Sequence, residues 1–129
     1  MSGIAGIVDS RGVACPLYYA LHALQHRGQE AAGISTFHEK ILLTHKGPGQ
    51  LAEVFNEQIL SGLPGTVGIG QVLYTQKAHR GRMENIQPLK FSFQGHELSI
   101  TVSVALVQDN RESLRAEYEG KGHIFSTTT

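Results

Sequence analysis

Apolar and polar residues fall into short, distinct patterns along this chain. Ser2 to Asp9 is a short apolar run broken by Gly3 and Gly6, which predicts a buried strand with close backbone approach at the glycines. After a turn at Ser10-Arg11-Gly12, Pro16 suits the first turn of a helix that runs to about His26, with Leu17, Leu21 and Leu24 on one face. Gly28 marks the end of that helix. Ala31–Phe37 and Lys40–His45 predict two strands joined by a short polar turn. Leu51–Phe55 predicts a short helix, and Gly65–Tyr74 a glycine-interrupted strand. The clearest period of two lies late: Leu98, Ile100, Val102, Val104 and Leu106 alternate with smaller or polar residues, which predicts a core strand through Val107. Phe91-Ser92-Phe93 pairs with it through a turn at Gln94-Gly95-His96. Asn110 then caps a helix to about Gly120, with Leu114 and Tyr118 on one face. Strands in groups with helices between them predict an α+β fold in layers, a single domain over residues 1–129.

Composition narrows the function classes. Eleven basic residues balance eleven acidic ones, so no global charge draws the chain to nucleic acid or an anionic membrane. No apolar run reaches membrane-spanning length, and the N-terminus lacks the regions of a signal peptide. The single cysteine, Cys15, cannot form an internal disulfide, which fits a reducing, cytoplasmic setting. It reads as a packed small residue at a helix start. His22 and His26 have a spacing that suits zinc, but no third ligand accompanies them, so no metal and no cofactor are expected. Lys77, His79, Arg80 and Arg82 form a basic cluster, which reads either as solvated surface or as a contact for phosphate or an acidic partner.

Two segments carry a family resemblance: Met1-Ser2-Gly3-Ile4-Ala5-Gly6-Ile7, and Leu24-Gln25-His26-Arg27-Gly28-Gln29-Glu30-Ala31-Ala32-Gly33-Ile34. With His45-Lys46-Gly47, Glu53-Val54-Phe55, Gly68-Ile69-Gly70, Glu84-Asn85, Gln87-Pro88-Leu89 and Gly122-His123-Ile124-Phe125 following in order, the chain resembles class II (N-terminal nucleophile) glutamine amidotransferases, most closely the opening of the amidophosphoribosyltransferases. The resemblance implies the layered αββα sandwich of N-terminal nucleophile hydrolases. In that family an N-terminal cysteine attacks the glutamine side-chain amide, with its own α-amine as base. An Asn-Gly pair supplies the oxyanion hole, an arginine holds the substrate carboxylate, and a later aspartate holds its amine.

Carried over residue by residue, the resemblance leaves a degenerate site. Ser2 stands at the nucleophile position, where a hydroxyl needs more help from a base than a thiol does. The family's His-Val-Arg-Tyr is here Gln71-Val72-Leu73-Tyr74, so Leu73 replaces the carboxylate-holding arginine. Gln76 and Ala78 replace the threonine and glycine that follow. The oxyanion segment aligns with Val104-Ala105-Leu106-Val107, placing Ala105 and Leu106 where Asn-Gly is required, and no Asn-Gly pair occurs anywhere in the chain. The family's Ser-Asp-Thr-Glu motif and its phosphoribosyltransferase domain lie beyond Thr129, so the expected sandwich is incomplete at its C-terminal side and phosphoribosyl transfer is not expected. Arg27, Gly28 and Tyr74 are retained, for reasons as readily structural as functional.

The expectation is a catalytically inactive, amidotransferase-like binding or assembly module. Its partner would be a second copy, giving a homodimer, or a protein that supplies the missing half-domain. Three alternatives stay open: Ser2, once freed of Met1, serves as the nucleophile of an amidohydrolase acting on another amide; the chain is one half of a split amidotransferase; or it is a remnant.

Overall fold

The computed structural model describes residues 1–74, 82–103 and 110–127. Four strands form an antiparallel sheet in the order β1-β4-β2-β3, where β1 is Gly3–Val8, β2 Ala31–His38, β3 Ile41–Pro48 and β4 Val67–Leu73. β2 and β3 are joined by a two-residue turn in which Glu39 and Lys40 both take positive φ, at 48° and 69°. That backbone matches the right-handed twist of a hairpin. Helix α1 (Ala14–Ala23) lies on one face of the sheet and buries Leu17 and Leu21 completely.

The glycines of β4 explain how closely that helix sits. A Cβ on Gly68 would stand 2.7 Å from Leu17 Cδ1, and one on Gly70 2.6 Å from Leu21 Cδ1. Two leucine side chains therefore occupy the volume the strand gives up. Val13, Ala32, Ile34, Leu51, Val54, Phe55, Leu63 and Val72 complete this core. The short helices α2 (Leu51–Val54) and α3 (Glu57–Ser61) seal its end. Gln50 and Glu53 form a reciprocal capping box on α2, and the Asn56 side chain accepts from the N–H of Ile59 at the start of α3.

On the opposite face of the sheet lies a two-stranded ribbon, β5 (Leu89–Phe93) and β6 (His96–Ile100), turned at Gln94-Gly95 with φ of 49° and 79°. Helix, sheet and ribbon are thus three successive layers, in line with the α+β layered fold expected. A last helix, α4 (Arg111–Gly120), buries none of its residues. Among the described residues no helix is long and apolar enough to cross a membrane.

Several expectations are corrected. The first helix ends at Ala23, and Gln25–Arg27 is a separate 3-10 turn. Cys15 is exposed rather than packed. Asn110 does not cap α4 with its side chain; its carbonyl accepts from the N–H of Leu114 and the hydroxyl of Ser113 instead. β6 stops at Ile100 rather than running to Val107, and its Leu98 and Ile100 are 40% and 46% exposed instead of lying in the core. The exposure has a tertiary reason: Glu97 and Ser99, the polar half of the alternation, find partners on the four-stranded sheet at Leu42 and Ser35. Residues 104–107 of that predicted strand lie outside the described residues.

Candidate functional site

Alternation along β1 and β4 sends Ser2, Ile4 and Gly6, and Ile69, Gln71 and Leu73, to the sheet face turned away from α1. The candidate site gathers at one end of that face. Ser2 is 6% exposed. Its Oγ accepts from the N–H of Tyr74 at 3.1 Å and faces the Tyr74 carbonyl at 3.4 Å. Arg27 Nε donates to the Ser2 carbonyl at 3.3 Å, so the 3-10 turn is fastened to the start of β1.

Gly28 follows that turn in extended backbone, with φ of −163°, so no left-handed conformation requires a glycine there. Space does. A Cβ at Gly28 would lie 2.5 Å from the Val72 carbonyl oxygen and 2.6 Å from Leu73 C. The Tyr74 side chain is 53% exposed; what Tyr74 contributes to the site is its backbone. The retained Arg27, Gly28 and Tyr74 therefore converge on one junction, between the turn, the start of β1 and the end of β4.

Leu73 lies 8% exposed in a small apolar cluster with Ala31 and Ile86. Gln71 is fully buried; its Nε2 donates to the Val102 carbonyl, while Oε1 has no partner among the described residues. Gln87, 5% exposed, accepts the Val102 N–H through Oε1 at 2.7 Å. Two glutamine side chains thus grip both polar groups of one residue between the layers. The segment carrying Ile86 and Gln87 is pressed onto Gly33, whose Cβ would fall 2.2 Å from the Gln87 carbonyl oxygen. Lys46 Nζ donates to the carbonyls of Ile86 and Pro88, and burial lowers its pKa from the ordinary lysine value. Sequence reasoning did not single out Gln87 or Lys46. Their signal was present only as members of the segments that carried the resemblance.

The remaining candidates do not join this site. Ala105 and Leu106, with Gln76 and Ala78, lie outside the described residues, as do Lys77, His79 and Arg80 of the basic cluster; Arg82 stands 3.9 Å from Glu84. His22 and His26 are both exposed. Among the described residues no group of three or more His, Cys, Asp or Glu is placed to hold a metal ion. The site offers a buried hydroxyl held by backbone, an arginine committed in part to a carbonyl, and an apolar wall.

No protein-family model matches the chain. It is 47% identical over 98% of its length to an amidophosphoribosyltransferase of Methanothermobacter thermautotrophicus, and 40% identical over 98% of its length to that of Bacillus subtilis. The chain covers 27% and 26% of those two proteins, so it spans about a quarter of the length of the curated relatives it matches. Among solved structures, the glutamine phosphoribosylpyrophosphate amidotransferase of B. subtilis, complexed with ADP and GMP, superposes with a TM-score of 0.74 at 38% identity, covering 99% of this chain and 26% of that one. A structure described as the allosteric regulatory enzyme of purine biosynthesis gives 0.78 at 35% identity, over 97% of this chain and 26% of that one.

Proposed function

We propose, for a chain homologous over its whole length to the N-terminal glutamine amidotransferase domain of amidophosphoribosyltransferases, that it does not hydrolyse glutamine and serves as a binding or assembly module that pairs with a second copy. The observation that carries this reading is the burial of Leu73 against Ala31 and Ile86. The resemblance puts the carboxylate-holding arginine at that position, and an aliphatic side chain sealed among apolar neighbours offers no bidentate partner for a charged group.

Two further observations support it. Ser2 Oγ is engaged with the Tyr74 backbone, accepting its N–H at 3.1 Å. The chain contains no Asn-Gly pair, and loss of an oxyanion donor costs roughly 3–4 kcal/mol of transition-state stabilisation. The fold outlives these losses because the groups that replace the family's polar residues are satisfied or apolar: Leu73 by its cluster, and Gln71 in part by the Val102 carbonyl.

Isothermal titration with L-glutamine tests the proposal. The expected outcome is no saturable heat at millimolar ligand. Saturable one-to-one binding, abolished by Ser2→Ala, would overturn it.

A further inference from the structure

Register lines up three residues across one face of the sheet. Gly33 of β2 stands opposite Lys46 of β3 and opposite Gln71 of β4, so the row runs Lys46, Gly33, Gln71. Residues opposed across a ladder share a face, and a row with no side chain at its centre leaves a groove there. Ile86-Gln87-Pro88 fills it. These three residues are buried, yet they belong to no helix or strand. A Cβ on Gly33 would collide with the Gln87 carbonyl oxygen and stand 2.8 Å from Pro88 Cδ.

The fastenings come from the two ends of the row. A buried irregular segment has no ladder to satisfy its backbone, so its carbonyls need other donors. Lys46 Nζ supplies them to Ile86 and Pro88, on either side of Gln87. At the other end Gln71 Nε2 donates to the Val102 carbonyl, and Gln87 Oε1 accepts the Val102 N–H at 2.7 Å. Ile86 packs on Leu73 and Ala31, which oppose one another in register on the same sheet. Neighbouring residues thus do two jobs: Ile86 closes the apolar wall, and Gln87 holds Val102.

We infer that Ile86-Gln87-Pro88 is a strap latched by Lys46, and that its release uncovers Leu73 and frees the Val102 N–H in one step. The inference goes beyond the function proposed above, since it needs neither inactivity nor pairing. Lifting the strap backbone out of the groove at Gly33 draws Ile86 off the wall and Gln87 off Val102 together. A segment held to a sheet by a few side-chain bonds opens locally, far more often than the whole fold does. Lys46 sets how often, because its bonds to the two carbonyls are charge-assisted and roughly twice as strong as neutral ones. An open strap presents an apolar wall at Leu73 and Ala31 beside a free backbone donor; a closed one withholds both.

Native-state hydrogen exchange of the full chain over sub-denaturing urea, with thiol labelling of Leu73→Cys in a Cys15→Ser background, tests this. The Val102 amide and the Leu73→Cys thiol are expected to report one opening constant with a weak dependence on urea. The Leu17 amide, bonded to the Val13 carbonyl in the core, is the reference for global unfolding and should open far more rarely. Lys46→Met keeps the apolar stem and removes both bonds. It is expected to raise both opening constants together, by about 30-fold. Gln87→Ala cuts the hold on Val102 and spares the latch, so it should raise Val102 exchange alone. Val102 exchange with the urea dependence of Leu17 would mean that no strap opens locally, and overturns the inference even where Lys46→Met fails to fold. A Lys46→Met variant that speeds one readout without the other, or neither, overturns the coupling.

Discussion

Ser2 Oγ lies 3.1 Å from the backbone nitrogen of Tyr74, accepting its N–H across the open end of β1 and β4. The Ser2 hydroxyl, which the resemblance puts at the nucleophile position, is thus a structural acceptor that ties two strand ends together. Ser2→Ala removes that acceptor and leaves the Tyr74 N–H unpaired beside a buried position. The expected cost is about 1–2 kcal/mol, read as a lowered midpoint in urea denaturation with unchanged slope. An unchanged midpoint would mean that water replaces Ser2 without loss.

Leu73 tells the complementary story from the apolar side. Leu73→Ala opens a cavity between Ala31 and Ile86 and is expected to cost about 2–4 kcal/mol. Leu73→Arg, which introduces the residue type that the resemblance implies for this position, places a charge among apolar side chains and is expected to cost at least as much. Paired denaturation curves check this. An arginine variant as stable as the unaltered chain would show that the cluster opens to solvent easily, and would weaken the inactive-site reading.

Glycine positions separate close approach from mere turn chemistry. Gly33→Ala drives a methyl into the Gln87 carbonyl, and relief requires moving the segment that holds Gln87 and Ile86. A loss of about 2–3 kcal/mol is expected from such overpacking. Gly6→Ala is the control: its new methyl would stand 3.7 Å from Ile69 Cγ2, an ordinary contact, so stability should be close to unchanged. Thermal denaturation of the two variants side by side decides whether Gly33 is required by packing.

Much of the fold was legible in the residues. The β2–β3 hairpin, β4 and α1 follow from short apolar runs broken by turn residues, and their observed bounds differ from the expected ones by a few positions. Helix α3 was missed although Asn56-Glu57 is a fair start signal, because five residues are too few for helical periodicity to show. The ribbon was legible as strands but not as to which side faces inward. Alternation fixes two sides; only the Leu42 and Ser35 backbone and hydroxyl partners, 55 and 64 residues distant in the chain, decide which one is buried. For the site, Ser2, Gln71, Leu73 and the retained Arg27 and Gly28 were found by resemblance. The grip of Gln71 and Gln87 on Val102 is a tertiary relationship that no local pattern announces.

Acid should loosen the ribbon first. The Lys90 side-chain hydrogen bond, then the Leu42 N–H, hold the Glu97 carboxyl below its ordinary value of 4.5. A carboxyl depressed in the folded state contributes stability that is present above its unfolded value and is lost as pH falls through the folded one. The Leu42 amide should therefore be protected from hydrogen exchange at neutral pH and lose protection below pH 4.5, after correction for the intrinsic rate. Glu97→Gln should flatten this dependence. Protection that is independent of pH in this range would show that the ribbon is held by Ser99 and Lys90 without Glu97.

The measurement closest to the central claim is ammonia release from L-glutamine by the purified chain, compared with Ser2→Ala and Ser2→Cys. The account predicts release at the rate of buffer alone for all three, because a better nucleophile does not replace the missing carboxylate partner and oxyanion donor. Saturable release that Ser2→Ala abolishes, or that Ser2→Cys creates, would contradict it.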